Sequence, residues 1–421
     1  MQDPVKLLKA YVRHPSVSTD PAFQVGLDGA RGFIADRLES LGFEVEVIAT
    51  AGHPVVLARR GHRSAGSETW PHVMLYGHYD VQPPDPLDLW ETPAFEPEVR
   101  GDRLYGRGAA DNKGPQILTT AAIEQLLEEH PEPPIRLTYL IEGEEEMGSP
   151  SFGGFLETHR DRLAEPDFIF VTDTGGPNAE QLAVTTQLRG LCDLQVKVKV
   201  AKSDLHSGLY GGAVLNPIQA LTEICASLHH PDGTINVPGF YDGIVEAEAW
   251  EREELSRLPF TEEAMRDLFQ IPGFHTPPGY NVAEAIRFQP TLEFNGIGGG
   301  YQGEGAKTII PSEAFVKITC RLVPHQDPNA VSDAVAKAIM DRSPENVTVE
   351  VHQGPKGKAY RIVPPGSPNA PGGINPVMAR AFAVVDESVE AHFGKRPLYL
   401  RQGGSIPIIA DLKDQTGLDS L

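Results

Sequence analysis

Three apolar runs that each stop abruptly at acidic or imidazole side chains constrain this chain more than any other feature. They lie at residues 73–76 in HVMLYGHYD, 135–141 in IRLTYLIEGEEEMGS and 168–171 in DFIFVTD. Short continuous apolar runs bounded by turn residues are the pattern of strands covered on both faces. Residues 116–129, between the first two runs, carry an amphipathic helical pattern. Buried strands alternating with helices give a largely parallel α/β sheet. Upstream, Asp3 and Pro4 form an N-cap and first-turn pair for an opening helix striped by Val5, Leu8, Tyr11 and Val12. A second helix is expected over 26–41, stopped by Gly42, with short strands at 43–48 and 55–59.

The texture changes after about residue 185. Leu194, Val196, Val198 and Val200 alternate with Gln195, Lys197 and Lys199, as in an antiparallel strand wetted on one face. A helix at 217–228, strands at 291–295 and 314–323, a helix at 330–340 and a strand at 347–353 complete a β-α-β-β-α-β order, the ferredoxin-like arrangement. An acidic, Pro-rich insertion occupies 231–290, and the loop-rich VPPGSPNAPGG leads into a helix at 376–393. The expectation is a discontinuous α/β domain, residues 1–186 and 360–421, with a smaller α+β domain, 187–359, inserted into it.

Composition removes several classes of function. Fifty-eight acidic residues against 36 basic ones leave a net charge of −22, which repels nucleic-acid backbones and anionic membrane surfaces. The start MQDPVKLLKAYV lacks the pattern of a signal peptide, and no apolar stretch is long enough to span a bilayer, so the expected location is cytoplasmic. Cys192, Cys225 and Cys320 are too few and too scattered for a disulfide framework or a CxxC metal site.

The chemistry concentrates where the apolar runs end. His78 and Asp80 share one face of an extended chain, a spacing that lets a carboxylate hold a metal-binding imidazole, although an isolated HxD also suits a capped surface turn. Asp111 precedes a helix expected to begin near Pro115, where a plain N-cap is the alternative role. Glu142, Glu144, Glu145 and Glu146 follow the second strand directly, and Asp173 ends the third. In α/β folds that carboxyl edge is where sites are built. Clustered carboxylates repel one another unless a cation compensates, and one His among several carboxylates suits a pair of divalent metals, with zinc, manganese and cobalt all admissible. Two such ions about 3.5 to 4 Å apart can share a carboxylate and a hydroxide nucleophile, with a further carboxylate taking the proton. The residues alone therefore reach a di-metal hydrolase without a substrate.

GHYDVQP, YGRGAADNKG and EGEEEMGS, in this order, resemble the dinuclear metallopeptidase family of carnosinases, aminoacylases, carboxypeptidase G and succinyl-diaminopimelate desuccinylase. HYDVQP, ADNKG, GIGGGYQGEGAKTIIP, CRLVP and GGSIP are most similar to the carnosinase-type cytosolic dipeptidases. The resemblance implies a zinc-peptidase-like α/β/α catalytic domain with an inserted ferredoxin-like dimerisation domain, two divalent ions with zinc first, and a homodimer acting on small peptides. It implies that Asp111 bridges the ions, with a cis peptide to Asn112, that His78 and Asp173 complete one site, and that Glu146 serves the other. Glu145 becomes the general base and Asp80 the support of His78. In DLHSGLYGG, His206 would steady the oxyanion in the partner subunit's active site. Thr308, Arg321, Gly404 and Ser405 would contact the substrate, Arg321 gripping its carboxylate.

The family also supplies a metal-ligating His some tens of residues beyond GGSIP, whereas the last His here is His392 and the sequence runs to Leu421. The expectation is a chain shorter than its full enzyme, without the last strand and helix of the catalytic domain; a form with one metal site permanently open is the other possibility. The expected activity is metal-dependent hydrolysis of dipeptides or similar small amides. N-acyl amino acid deacylation and a non-catalytic binding subunit are the alternatives.

Overall fold

The structure, a computed structural model, describes residues 2–368, 370 and 374–421, so part of the expected 363–373 loop lies outside the described residues. Its chain divides into two compact units.

The first unit comprises Met1–Leu182, Ile362–Pro397 and Asp411–Leu421. Its strands are β1 (Glu44–Ile48), β2 (Val55–Arg60), β3 (His72–His78), the small hairpin β4 (Glu98–Arg100) and β5 (Arg103–Tyr105), β6 (Arg136–Glu142) and β7 (Phe168–Val171). Five of them form one sheet in the order β1-β2-β6-β3-β7. β6, β3 and β7 run parallel, but β1 and β2 are antiparallel to each other and β2 is antiparallel to β6. The sheet is thus mixed rather than largely parallel. The connection from β1 to β2 is a short turn, which only antiparallel neighbours allow. The helices Gln24–Ser40 and Lys113–Glu129 bury Leu27, Ile34, Leu38, Ile117 and Ile123 in a core with Val56, Leu75, Tyr139 and Ile141. After the helix Pro407–Thr416, the Ile169 amide donates to Asp419 O (2.9 Å) and Leu421 donates back to Ile169 O (2.8 Å), adding a parallel lane beside β7.

The second unit comprises Ala183–Arg361 and Leu398–Ala410. β8 (Ala183–Leu188) is followed by β9 (Gly190–Lys199), β10 (Leu205–His206), β11 (Thr291–Gly299), β12 (Ile309–Ile310), β13 (Glu313–Leu322), β14 (Thr348–Gly357), β15 (Tyr360–Arg361) and β16 (Leu398–Arg401). The main sheet has the order β11-β13-β9-β14, antiparallel throughout. With the helices Pro217–Ser227 and Pro328–Asp341 this is the ferredoxin-like order. Val196, Val198, Val316 and Ile318 point from the sheet into a core closed by Leu221, Ile224, Val335 and Ile339. The acidic insertion forms three short helices, Ala249–Ser256, Glu262–Phe269 and Val282–Phe288. From the first of them Glu251, buried, meets Arg401 (Nε to Oε1 2.7 Å) and Arg361 (Nη2 to Oε1 3.2 Å).

No helix of the described residues is long and apolar enough to cross a membrane, and all three cysteines are free and buried.

Candidate metal centre

In the first unit β3, β6 and β7 end at one rim, and their ends deliver the charged groups. His78 is the last residue of β3 and is fully buried. Its Nε2 lies 3.0 Å from Asp111 Oδ1 and 3.4 Å from Asp173 Oδ2; its Nδ1 lies 3.2 Å from Asp80 Oδ1. Burial alone would lower the imidazole pKa, but Asp111, Asp173 and Asp80 together hold it well above its ordinary value. A bound cation would answer the same carboxylates from the same place.

Asp111 is not the helix cap that its position also allowed. The helix Lys113–Glu129 is capped by Asn112, without a side-chain cap bond, and the Asp111–Asn112 peptide is cis, as the resemblance implied. The hydrogen bond from His78 holds the Asp111 carboxyl below its usual range against the effect of burial. Asn112 Nδ2 donates to Asp173 Oδ1 (2.8 Å), and Gln116 Nε2 donates both to Asn112 Oδ1 (3.0 Å) and to the His78 carbonyl. A Cβ on Gly77 would come within 2.9 Å of Asn112 Oδ1, so glycine at this place lets the helix start approach the strand end.

The four glutamates from the last residue of β6 onward divide by environment. Glu142 is buried, receives the Tyr76 hydroxyl (2.7 Å), and is pushed up to about 7, first by burial. Glu144 is turned to structural use, accepting from the His53 and Ser151 amides (both 2.9 Å). Glu145 is pushed up to about 8 by burial; His78 opposes this, and Asp173, Glu146 and Glu142 add to it. Glu146 is raised by burial and by Asp111, while Gln82 binds its carboxylate through Nε2 (2.8 Å) and its backbone amide (3.2 Å). Asp80, buried, accepts from Ser18 Oγ (2.7 Å) and from the Glu146 amide (3.1 Å), tying the end of β3 to the glutamate turn.

Ligand atoms of His78, Asp111 and Glu146 lie within 4.8 Å of one another. One imidazole and several carboxylates, some with raised pKa, form a donor set that fits divalent cations. Ser18, Gln82 and Gln116 were not singled out from sequence, and Asn112 only for its peptide to Asp111. Gln82 and Asn112 do lie inside the quoted motifs, but their partners are set only by folding.

The remaining sequence-derived residues lie in the second unit. β10 pairs with β12, placing His206 opposite Ile309, and the Ser207 amide donates to Thr308 O (3.0 Å). His206 and Thr308 are exposed, and His206 Nδ1 accepts from the Gly208 amide (3.0 Å). Arg321 Nη1 donates to Ser405 Oγ (2.8 Å). Arg189, which the sequence reading missed, shapes the segment carrying Ser405: its amide donates to Gly404 O (2.8 Å) and its Nε to Gly403 O (2.7 Å). Burial, then the charge of Arg321, lowers Arg189 to about 10.

Residues 74–406 match the sequence profile of peptidase family M20/M25/M40. The chain is 29% identical to the Cys-Gly metallodipeptidase of Schizosaccharomyces pombe, over 96% of this chain and 84% of that protein. It is 30% identical to the Beta-Ala-His dipeptidase of Homo sapiens, over 96% of this chain and 80% of that protein. The crystal structure of an M20 family metallo-carboxypeptidase from Sulfolobus solfataricus is similar with a TM-score of 0.85 at 28% identity, covering 100% of this chain and 90% of that one. Human carnosine dipeptidase 1 gives 0.82 at 28% identity, covering 99% and 87%. A profile match that begins within β3 and takes in His78, the glutamate turn, the inserted sheet and Ser405 shows that the chain belongs to peptidase family M20/M25/M40.

Proposed function

We propose that this protein is a metal-dependent dipeptidase working with two divalent ions, zinc first and manganese or cobalt as fits to the same donors. The observation that carries this reading is the convergence of His78, Asp111 and Glu146 with Glu145 beside them in the turn after β6. The dipeptidase names of the relatives support the substrate class. His78, Asp111 and Asp173 would hold one ion, and Asp111 with Glu146 the other. Bound there, the ions polarise the amide carbonyl and lower the pKa of water.

The chain's own residues do the rest. Glu145 takes a proton from the attacking water and passes it to the leaving amine. Asp80 fixes the ring of His78 through Nδ1. Arg321, with Ser405 and Gly404, receives the substrate carboxylate, and Thr308 contacts the substrate. His206 donates to the oxyanion in the partner subunit of a homodimer. We assign the metal-binding and general-base residues to the catalytic domain, 1–186 and 360–421, and pairing of subunits to 187–359, which also carries His206, Thr308 and Arg321. The edge strand β11, with Phe294 and Ile297 exposed on it, supports pairing through this sheet. A cytoplasmic location agrees with three free cysteines.

Glu145→Gln tests the central assignment. Turnover of a dipeptide panel is expected to fall at least about a thousandfold while metal content stays at the wild-type level; retained turnover sinks the general-base role. Replacing the panel by N-acyl amino acids separates dipeptidase from deacylase. Light scattering at micromolar concentration is expected to give a dimer, and a fully active monomer refutes the role of His206 across subunits.

A further inference from the structure

We propose that the first unit carries a separate binding site for one zinc ion, formed by His62, His72 and Glu165 at the rim opposite the candidate metal centre. This inference does not rest on hydrolysis or on the ions assigned above.

Topology brings the three residues together. His62 follows the end of β2, which runs antiparallel to β6; His72 opens β3; Glu165 shortly precedes β7. The end of an antiparallel strand and the starts of two parallel ones lie at the same rim. His72 is six strand positions from His78, about 20 Å at the usual rise of an extended chain.

The side chains are arranged as ligands. The two imidazoles meet edge to face, with centroids 4.6 Å apart and ring planes at 79°. His62 Nε2 and His72 Nδ1 are both buried and lack a well-aligned hydrogen-bond partner, while the backbones of Leu137 and Glu165 respectively act on the two rings. Together with a Glu165 carboxylate oxygen, ligand atoms of the three residues lie within 4.8 Å of one another. Buried polar nitrogens without well-aligned partners are costly, about 1 to 3 kcal/mol each, and two of them facing one carboxylate call for something between them. Zinc with two His and one Glu is a recurrent ligand set that leaves a fourth position for water, and its tetrahedral donors sit about 3.3 Å apart. Glu165 is exposed and can supply the closing movement.

The surroundings orient the ring. His72 Nε2 lies 2.8 Å from Thr138 Oγ1, and with the proton on Nε2 the Nδ1 lone pair faces the site, the second contact typical of a ligating His. His62 also lines a surface pocket with Gly61, Glu44 and the arginines Arg59, Arg60 and Arg63. Arg59 and Arg136 are the opposing charges. Arg59 Nη1 stands 3.8 Å from Glu165 Oε2, a loose pair that zinc must displace, and Arg136 is engaged by the Trp70 carbonyl (3.3 Å).

Zinc bound per chain, measured by equilibrium dialysis against buffered free zinc, tests the site in the full-length protein. Glu165→Gln and His62→Gln are each expected to carry one ion fewer than wild type, or to hold it at least about tenfold more weakly. The same single-ion loss is expected when either change is made on top of His78→Gln, which separates this site from the other rim. Dipeptide turnover of Glu165→Gln should equal that of wild type. Glu165 is exposed, so its variant reports even where His62→Gln fails to fold. Equal zinc content in Glu165→Gln and wild type overturns the three-ligand site.

Discussion

Asp80 Oδ1 lies 3.2 Å from His78 Nδ1, with both side chains fully buried, while Nε2 of the same ring faces Asp111. Nδ1 also lies 3.1 Å from the Asp80 carbonyl oxygen, so Asp80, through carboxylate and backbone, sets which ring nitrogen is left for a metal. Asp80→Asn is expected to weaken zinc binding at the candidate centre by about 10- to 100-fold, the usual effect of losing such a support. Competition with a chelator of known affinity measures it, and unchanged affinity would show that the ring is held by other means.

Arg321 reaches Ser405 across 84 positions of sequence and is the donor best placed to grip a substrate carboxylate. A hydrogen bond to a charged group is worth about 1.5 to 3 kcal/mol, so Arg321→Met should raise KM for dipeptides by about tenfold to a hundredfold. Amidated dipeptides should show almost no change. An equal loss on both would contradict carboxylate recognition.

Stability should carry a pH signature from Glu251. Burial would raise this carboxyl, but Arg401, then the Glu248 amide and Arg361, hold it below its ordinary value of 4.5. A depressed carboxyl contributes stability that is full above the unfolded value and is lost as pH falls through the folded one. Glu251→Gln leaves Arg401 buried without its charge partner, at an expected cost of about 3 to 5 kcal/mol near pH 7. The gap between wild type and variant in denaturant melts should narrow below pH 4.5. A gap that is constant down to pH 3 would refute the linkage.

Much of the fold was legible before folding. The apolar runs that become β3, β6 and β7 read as buried strands because only a covered strand tolerates such continuity. The alternation in β9 announced a sheet wet on one face, and the β-α-β-β-α-β order followed from periodicity alone. The antiparallel setting of β1 and β2 was not legible, because an apolar run reports burial but not the direction of its neighbour.

What the sequence by itself determined is which residues have chemistry to offer and where along each strand they stand: His78, Asp111, the glutamate turn and Asp173 each occupy a strand end or a helix start. Tertiary structure alone decided their partners. It assigned Asp80 to the back of His78, Glu144 to backbone amides, Gln82 to Glu146, Asn112 to Asp173, and Arg189 to the segment bearing Ser405. It also faced His62 toward His72 across a turn in which neither the spacing nor the composition marked a site. The physical reason is that periodicity records how each residue is buried, whereas a hydrogen bond or a ligand set depends on which segments the sheet order makes neighbours.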